Sequence, residues 1–277
     1  MTHCGLRLII KNQFANSTVA VSPAPLAGYP ATNMLMTWRS RVMRTSGKTN
    51  QIITFTLPSS QLADAFYCPV DGGAELRLEL FADQSMTARV YDSGITRFGV
   101  QISRAIPWGS LRYGVDLWGS QEGVNVGASR ALYFPSVQYI AAKVTLNYST
   151  APAGYIEVPY LAIGKAFAPE YGANTGASLA IRTQRKQQRT RAGSLHRVGQ
   201  SAQWRELSLD LSYLSAHERI RLHNELSESG GEAVLVDMYN SDTTALHDQN
   251  LFLADVELPE LQDNGLYHAA KLKFNEI

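Results

Sequence analysis

Short stretches in which apolar and polar residues alternate recur along most of the chain. In AELRLELF (74 to 81), Leu76, Leu78 and Leu80 alternate with Arg77 and Glu79, the period-two pattern of a strand with one wet face. KVTLNYS (143 to 149) alternates in the same way. NQIITFTL (50 to 57), ARVYDSG (88 to 94), FGVQIS (98 to 103), RYGVDLWG (112 to 119) and YIEVPYLAIG (155 to 164) read as further strands, and Leu6 to Ile10 as a short one. SPAPLAGYPATNM is turn-rich and ends in a short helical turn near Thr32 to Met36. Many short strands, with no helix longer than a turn or two, predict a mainly β fold whose first part is a β-sandwich or jelly roll.

FAPEYGANTG (167 to 176), with its proline, glycines and asparagine, marks a boundary. The expected division is therefore a sandwich domain over 1–166 and a smaller domain over 167–277. In the second domain, WRELSLDL alternates Leu207, Leu209 and Leu211 against Glu206, Ser208 and Asp210. Ser215, with Glu218 three residues on, is a capping box that opens a helix, and Gly230 and Gly231 stop it. Ala216 with Ile220, and Leu222 with Leu226, are spaced to share a buried stripe. EAVLVDMY, NLFLADVEL and YHAAKLKFNEI supply three more strands, so this part predicts a small sheet with one packed helix.

Charge divides the second part. From Tyr171 to Arg205 there are seven basic residues, Arg182, Arg185, Lys186, Arg189, Arg191, Arg197 and Arg205, and no Asp or Glu. From Glu206 to Ile277 fourteen acidic residues face four basic ones. A split this long asks for an acceptor: a polyanion, or the acidic half of another copy of the chain. The segment 178–203 is expected to be a basic loop. Nucleic acid is the weaker partner for it, because no aromatic residue lies between Tyr171 and Trp204 to stack bases.

Catalytic and targeting signatures are absent. HERIRLH (217 to 223) places Arg221, not histidine, four residues after His217, so the two histidines do not share a metal-gripping face. Asp64, Asp71, Asp83, Asp92 and Asp116 are scattered and suit turns better than the paired carboxylates of a glycosidase. No enzyme, metal or cofactor is expected. The two cysteines, Cys4 and Cys68, form no CxxC pair, the opening apolar run ends at Lys11, and no run is long enough to span a membrane. Synthesis in a reducing cytoplasm, followed by incorporation into an assembly, is the expected course.

YPATNMLMTWRSRVMRTSG followed by NQIITFTL resembles the opening of discoidin-like, or galactose-binding-like, jelly rolls found in structural proteins of tailed-phage tail tips. VPYLAIGKAFAPEYG resembles the end of such a module. WRELSLDLSYLSAHERIRLHNEL with the terminal KLKFNEI is similar to the sheet-plus-helix domains of distal tail and baseplate proteins. The resemblance implies a virion protein that closes a homo-oligomeric ring on the tail tube, beside other tail-tip proteins. A long loop reaching the neighbouring subunit would staple that ring, and Arg182, Arg185, Lys186, Arg189, Arg191 and Arg197 are its candidate residues. The alternative is a carbohydrate-binding adhesin for a host surface glycan. For that, Trp38, Arg39 and Trp108 are the candidate contacts, Trp38 and Trp108 in loop-like stretches, with Arg41 and Tyr113 as further material for a sugar platform and Trp118, at a strand end, expected in the core instead.

Overall fold

The structure, a computed structural model, describes residues 5–38, 40–70, 74–97, 101–105, 121–125, 129–171, 177–184, 186–189, 195–198, 203–230, 232–238, 250–263 and 267–277. The chain is mainly β and forms two compact units. One gathers residues from Asn12 to Ala166; the other gathers residues up to Lys11 with most of those from Phe167 onward.

The chain opens with β1 (Arg7–Ile9), which belongs to the second unit. The first unit then contains β2 (Thr18–Ser22), β3 (Met43–Arg44), β4 (Gln51–Pro69), β5 (Glu75–Phe81), β6 (Arg89–Asp92) and β7 (Thr96–Arg97). It continues with β8 (Gln101–Ala105), β9 (Gln121–Asn125), β10 (Ser129–Asn147), β11 (Glu157–Val158) and β12 (Ala162–Gly164). Two 19-residue strands, β4 and β10, organise it: they pair antiparallel along their length, with register shifts near Tyr133 and Tyr139. Before the shifts, the Cys68 end of β4 also pairs β12; beyond them, its Ile53 end also pairs β2, while β10 pairs β5. Bulges bend and twist paired strands, so one long pair curls the sheet over its own inner face. This is a β-sandwich of the jelly-roll type.

Its core is aromatic at the centre. Phe14 stacks on Phe55 at 3.8 Å between centroids and meets Phe66 edge-on at 6.4 Å, and all three are fully buried. Asn12 locks the two ends of the unit together. Its side-chain amide donates to Tyr160 Oη (3.0 Å) and to the Leu161 carbonyl (2.8 Å), while its Oδ1 accepts from the amides of Phe14 (3.1 Å) and Ile163 (3.2 Å). On the opposite face of β5, Arg77 grips Asp92 through two bonds, and Arg89 and Lys143 hold Glu79. Burial pushes the Glu79 carboxyl up, but the hydrogen bonds from Arg89 and Lys143 and the charge of Arg77 outweigh it and leave the group below its usual range.

The second unit continues with β13 (Ser178–Thr183), β14 (Lys186–Arg189), β15 (Leu195–Val198), β16 (Gln203–Leu214), α1 (Ala216–Ser229), β17 (Val234–Asp237), β18 (Leu251–Asp263) and β19 (His268–Glu276). Its sheet runs β1-β17-β18-β19-β16-β13. Leu222 and Leu226 of α1 join Leu207, Leu209, Leu211, Leu272 and Phe274 in the core. Ser215 caps the helix as predicted: Glu218 N–H donates to its Oγ, and its own N–H donates to the Glu218 carboxylate at 2.8 Å. Gly230 stops the helix at φ 60°, where a Cβ would be strained.

Three expectations are corrected. Residues 5–11 do not belong to the sandwich, whose expected start is residue 1: β1 pairs β17, and Leu6, Leu8 and Ile10 fill the second unit's core, because a short apolar strand is stable wherever a sheet edge accepts it. The basic stretch 178–203 is not a plain loop. Its alternation of Leu179 and Ile181 with Ala180 and Arg182 makes β13, which pairs β16, and β14 pairs β15 beyond it. Ile220 lies off the buried stripe at 60% exposure, since that stripe runs through Leu222, Leu226 and Ser229. RYGVDLWG lies outside the described residues.

Candidate functional site

The loop around Trp38 is displayed by the chemistry at its two ends. A five-residue 3-10 helix (Ala31–Leu35) follows Pro30, and its Met34 is completely buried. The Met34 carbonyl accepts from Leu161 N–H at 3.0 Å. After the loop, Met43 of β3 is again completely buried. Asn33 Nδ2 donates to the Val42 carbonyl at 2.9 Å, tying the two ends together. Trp38 cannot follow these anchors inward; it projects from the tight turn closed by Arg41 N–H donating to its carbonyl (2.9 Å) and is 59% exposed.

Arg41 lies over the indole, its guanidinium carbon 4.7 Å from the ring centroid, a cation–π arrangement. One of its nitrogens reaches Met36 Sδ at 3.7 Å, and Met36 is itself exposed. Arg44, three residues on, is treated differently. It lies 4.1 Å from the Tyr29 ring and 4.9 Å from the Tyr155 ring, and its Nε donates to Glu157 Oε1 at 2.9 Å. That bond raises the Arg44 pKa and holds its charge in place. The exposed indole with the Arg41 guanidinium over it is a surface on which a pyranose can stack while planar donors bond its hydroxyls, and Arg44 with Tyr29 and Tyr155 makes a second aromatic–cation cluster. Arg39, Trp108, Tyr113 and Trp118 lie outside the described residues. The sequence singled out Trp38 correctly as a loop residue; it did not single out Tyr29 and Tyr155, which the fold brings to Arg44 from distant positions.

The basic segment is distributed over strands. Arg182, on β13, donates through Nε to Glu206 Oε2 at 2.6 Å within the same chain, and this bond lowers the Glu206 pKa. Arg189 is exposed on β14, Lys186 opens β14, and Arg197 pairs with Gln187 across the hairpin. Arg185 and Arg191 lie outside the described residues. Among the described residues β13 is the last strand of the sheet, and five of its six residues are exposed, with Leu179 at 39% and Ile181 at 70%.

The described candidate carboxylates are all committed to structure. Asp64 accepts from Ala166 N–H at 2.7 Å, Asp83 gathers Ser85, Thr87 and Ala88 into a turn, and Asp92 pairs with Arg77. Asp71 and Asp116 lie outside the described residues. His217 and His223 are exposed, and no group of three metal-ligating side chains occurs among the described residues. Among them, no helix is long and apolar enough to cross a membrane.

No family model matches the sequence, and no curated protein matches it. Among solved structures, the chain is similar to the CBM32 of AlyQ in complex with 4,5-unsaturated mannuronic acid, at 16% identity and a TM-score of 0.35, over 53% of this chain and 92% of that one. It is also similar to chitosan-binding module 1 of a chitosanase/glucanase from Paenibacillus sp. IK-5, at 12% identity and a TM-score of 0.37, over 55% and 98% of the two chains. A third is CpGH89CBM32-5 from Clostridium perfringens in complex with GalNAc-beta-1,3-galactose, at 12% identity and a TM-score of 0.36, over 56% and 99%.

Proposed function

We propose that this chain is a non-catalytic adhesion protein that binds carbohydrate through the Trp38 loop face of its jelly-roll unit. The observation that carries this reading is Trp38 itself. A large aromatic side chain is held at 59% exposure by anchors on either side, beside the stacked Arg41. Leaving an indole in water forgoes roughly 2 kcal/mol or more of burial, which a ligand recovers by stacking on it. A glycan array probed with the native protein and with Trp38→Ala tests the reading: hits that the variant loses are expected, and hits unchanged by the substitution would overturn it.

A second reading concerns the setting. The open edge strand β13, with Leu179 and Ile181 in solvent, together with the basic hairpin after it, supports self-assembly. It fits a structural virion protein of a phage tail tip, whose second unit closes a ring on the tail tube and whose first unit is presented to other tip proteins or to the host surface. Both readings hold together if the ring multiplies weak sugar contacts. The molar mass of the purified protein by light scattering, at low and high salt, tests the assembly.

A further inference from the structure

We infer that the Trp38 face selects acidic sugars, with a uronic acid carboxylate seated on Arg41; this rests on the carbohydrate reading and narrows its ligand. The first observation is the local charge. No Asp or Glu occurs before Asp64, whereas the loop and its C-terminal flank carry Arg39, Arg41, Arg44 and Lys48. The second is how the two described arginines are used. Arg44 is paired with Glu157 and lies over the rings of both Tyr29 and Tyr155. Arg41 is exposed, and among the described residues its side chain meets the Trp38 ring and the Met36 sulfur and no carboxylate.

The third observation is geometric. The Arg41 guanidinium carbon sits 4.7 Å from the indole centroid and one of its nitrogens is directed at Met36 Sδ, which leaves further N–H donors of the same group to offer to a ligand. A guanidinium edge matches a carboxylate with two parallel hydrogen bonds. The contact with the indole also restricts the side chain before the ligand arrives, so less freedom is lost on binding. A pyranose on the exposed indole would carry its C5 carboxylate at the sugar's rim, within reach of a guanidinium held over the same ring system. A neutral hexose would stack equally well but leave those donors to water.

The test is titration of the full-length protein with oligogalacturonate, a neutral glucan oligomer of matched length, and polyglutamate, at fixed ionic strength. The native protein is expected to bind oligogalacturonate and not the other two. Arg41→Gln should weaken that binding roughly tenfold or more, the effect of losing one charge-assisted pair, and Trp38→Ala should remove it; Arg41→Lys, which keeps the charge but loses the fork, should recover only part. Equal binding of the neutral glucan, lost in Trp38→Ala but not in Arg41→Gln, would overturn the acidic preference and leave the carbohydrate reading standing. Equal binding of polyglutamate would overturn sugar selection in favour of bare charge. Failure to bind either glycan in the titration, together with an empty glycan array, would overturn both.

Discussion

Arg41 and Arg44 stand three residues apart, and the difference between them comes from what the fold brings near. Glu157 arrives beside Arg44 because β11 pairs β3; among the described residues no carboxylate reaches Arg41. In the sequence both are arginines of one stretch and nothing distinguishes them, since the partner Glu157 lies 113 positions beyond Arg44. Asn12 makes the same point in the core. It looks like an ordinary polar residue after an apolar run, yet it is buried and holds four hydrogen bonds. Asn12→Ala would leave the Phe14 and Ile163 amides without that acceptor in a dry interior. A loss of about 2–4 kcal/mol is expected, read as a lower midpoint in urea unfolding. An unchanged midpoint would mean that water or a local shift replaces the asparagine.

At the scale of elements, alternation made the strands legible, and the capping box with the Gly pair bounded the helix. What alternation could not supply was the partner of each strand. β1 has the composition of any short buried strand, and only its pairing with β17 assigns it to the second unit. β13 was obscured by its charge: a segment dense in arginine reads as a solvated loop, although Leu179 opposite Leu207 satisfies a strand pair. The helix shows a narrower stripe than its spacing allows. Leu222→Ala should destabilise the second unit by about 2–5 kcal/mol, whereas Ile220→Ala should change stability by less than about 0.5 kcal/mol. Comparable losses at the two positions, measured by chemical unfolding, would mean that α1 is rotated from the orientation described.

For the whole molecule, the charge division is the feature that sequence alone conveyed most clearly, and the structure alters its consequence. Part of the basic segment is already answered within the chain, through Arg182 and Glu206, so simple attraction between opposite halves of two copies is weaker than the residue count implies. The edge of β13 offers backbone pairing and apolar contact as well. An oligomer built on that edge should persist at high salt, where surface attraction is screened within about 10 Å or less. One held by the hairpin's arginines should dissociate as salt rises. A protein that is monomeric by light scattering at every salt concentration would contradict the assembly reading.

The most direct measurement of the central claim is the behaviour of the four indole N–H resonances as a glycan identified on the array is titrated into the protein, with Trp38→Phe used to assign the signal in question. The account predicts that the Trp38 resonance shifts and saturates with the binding isotherm while the Trp204 resonance, from the second unit, stays in place. Saturable binding of a glycan with the Trp38 resonance unmoved would contradict it and put the sugar elsewhere on the molecule.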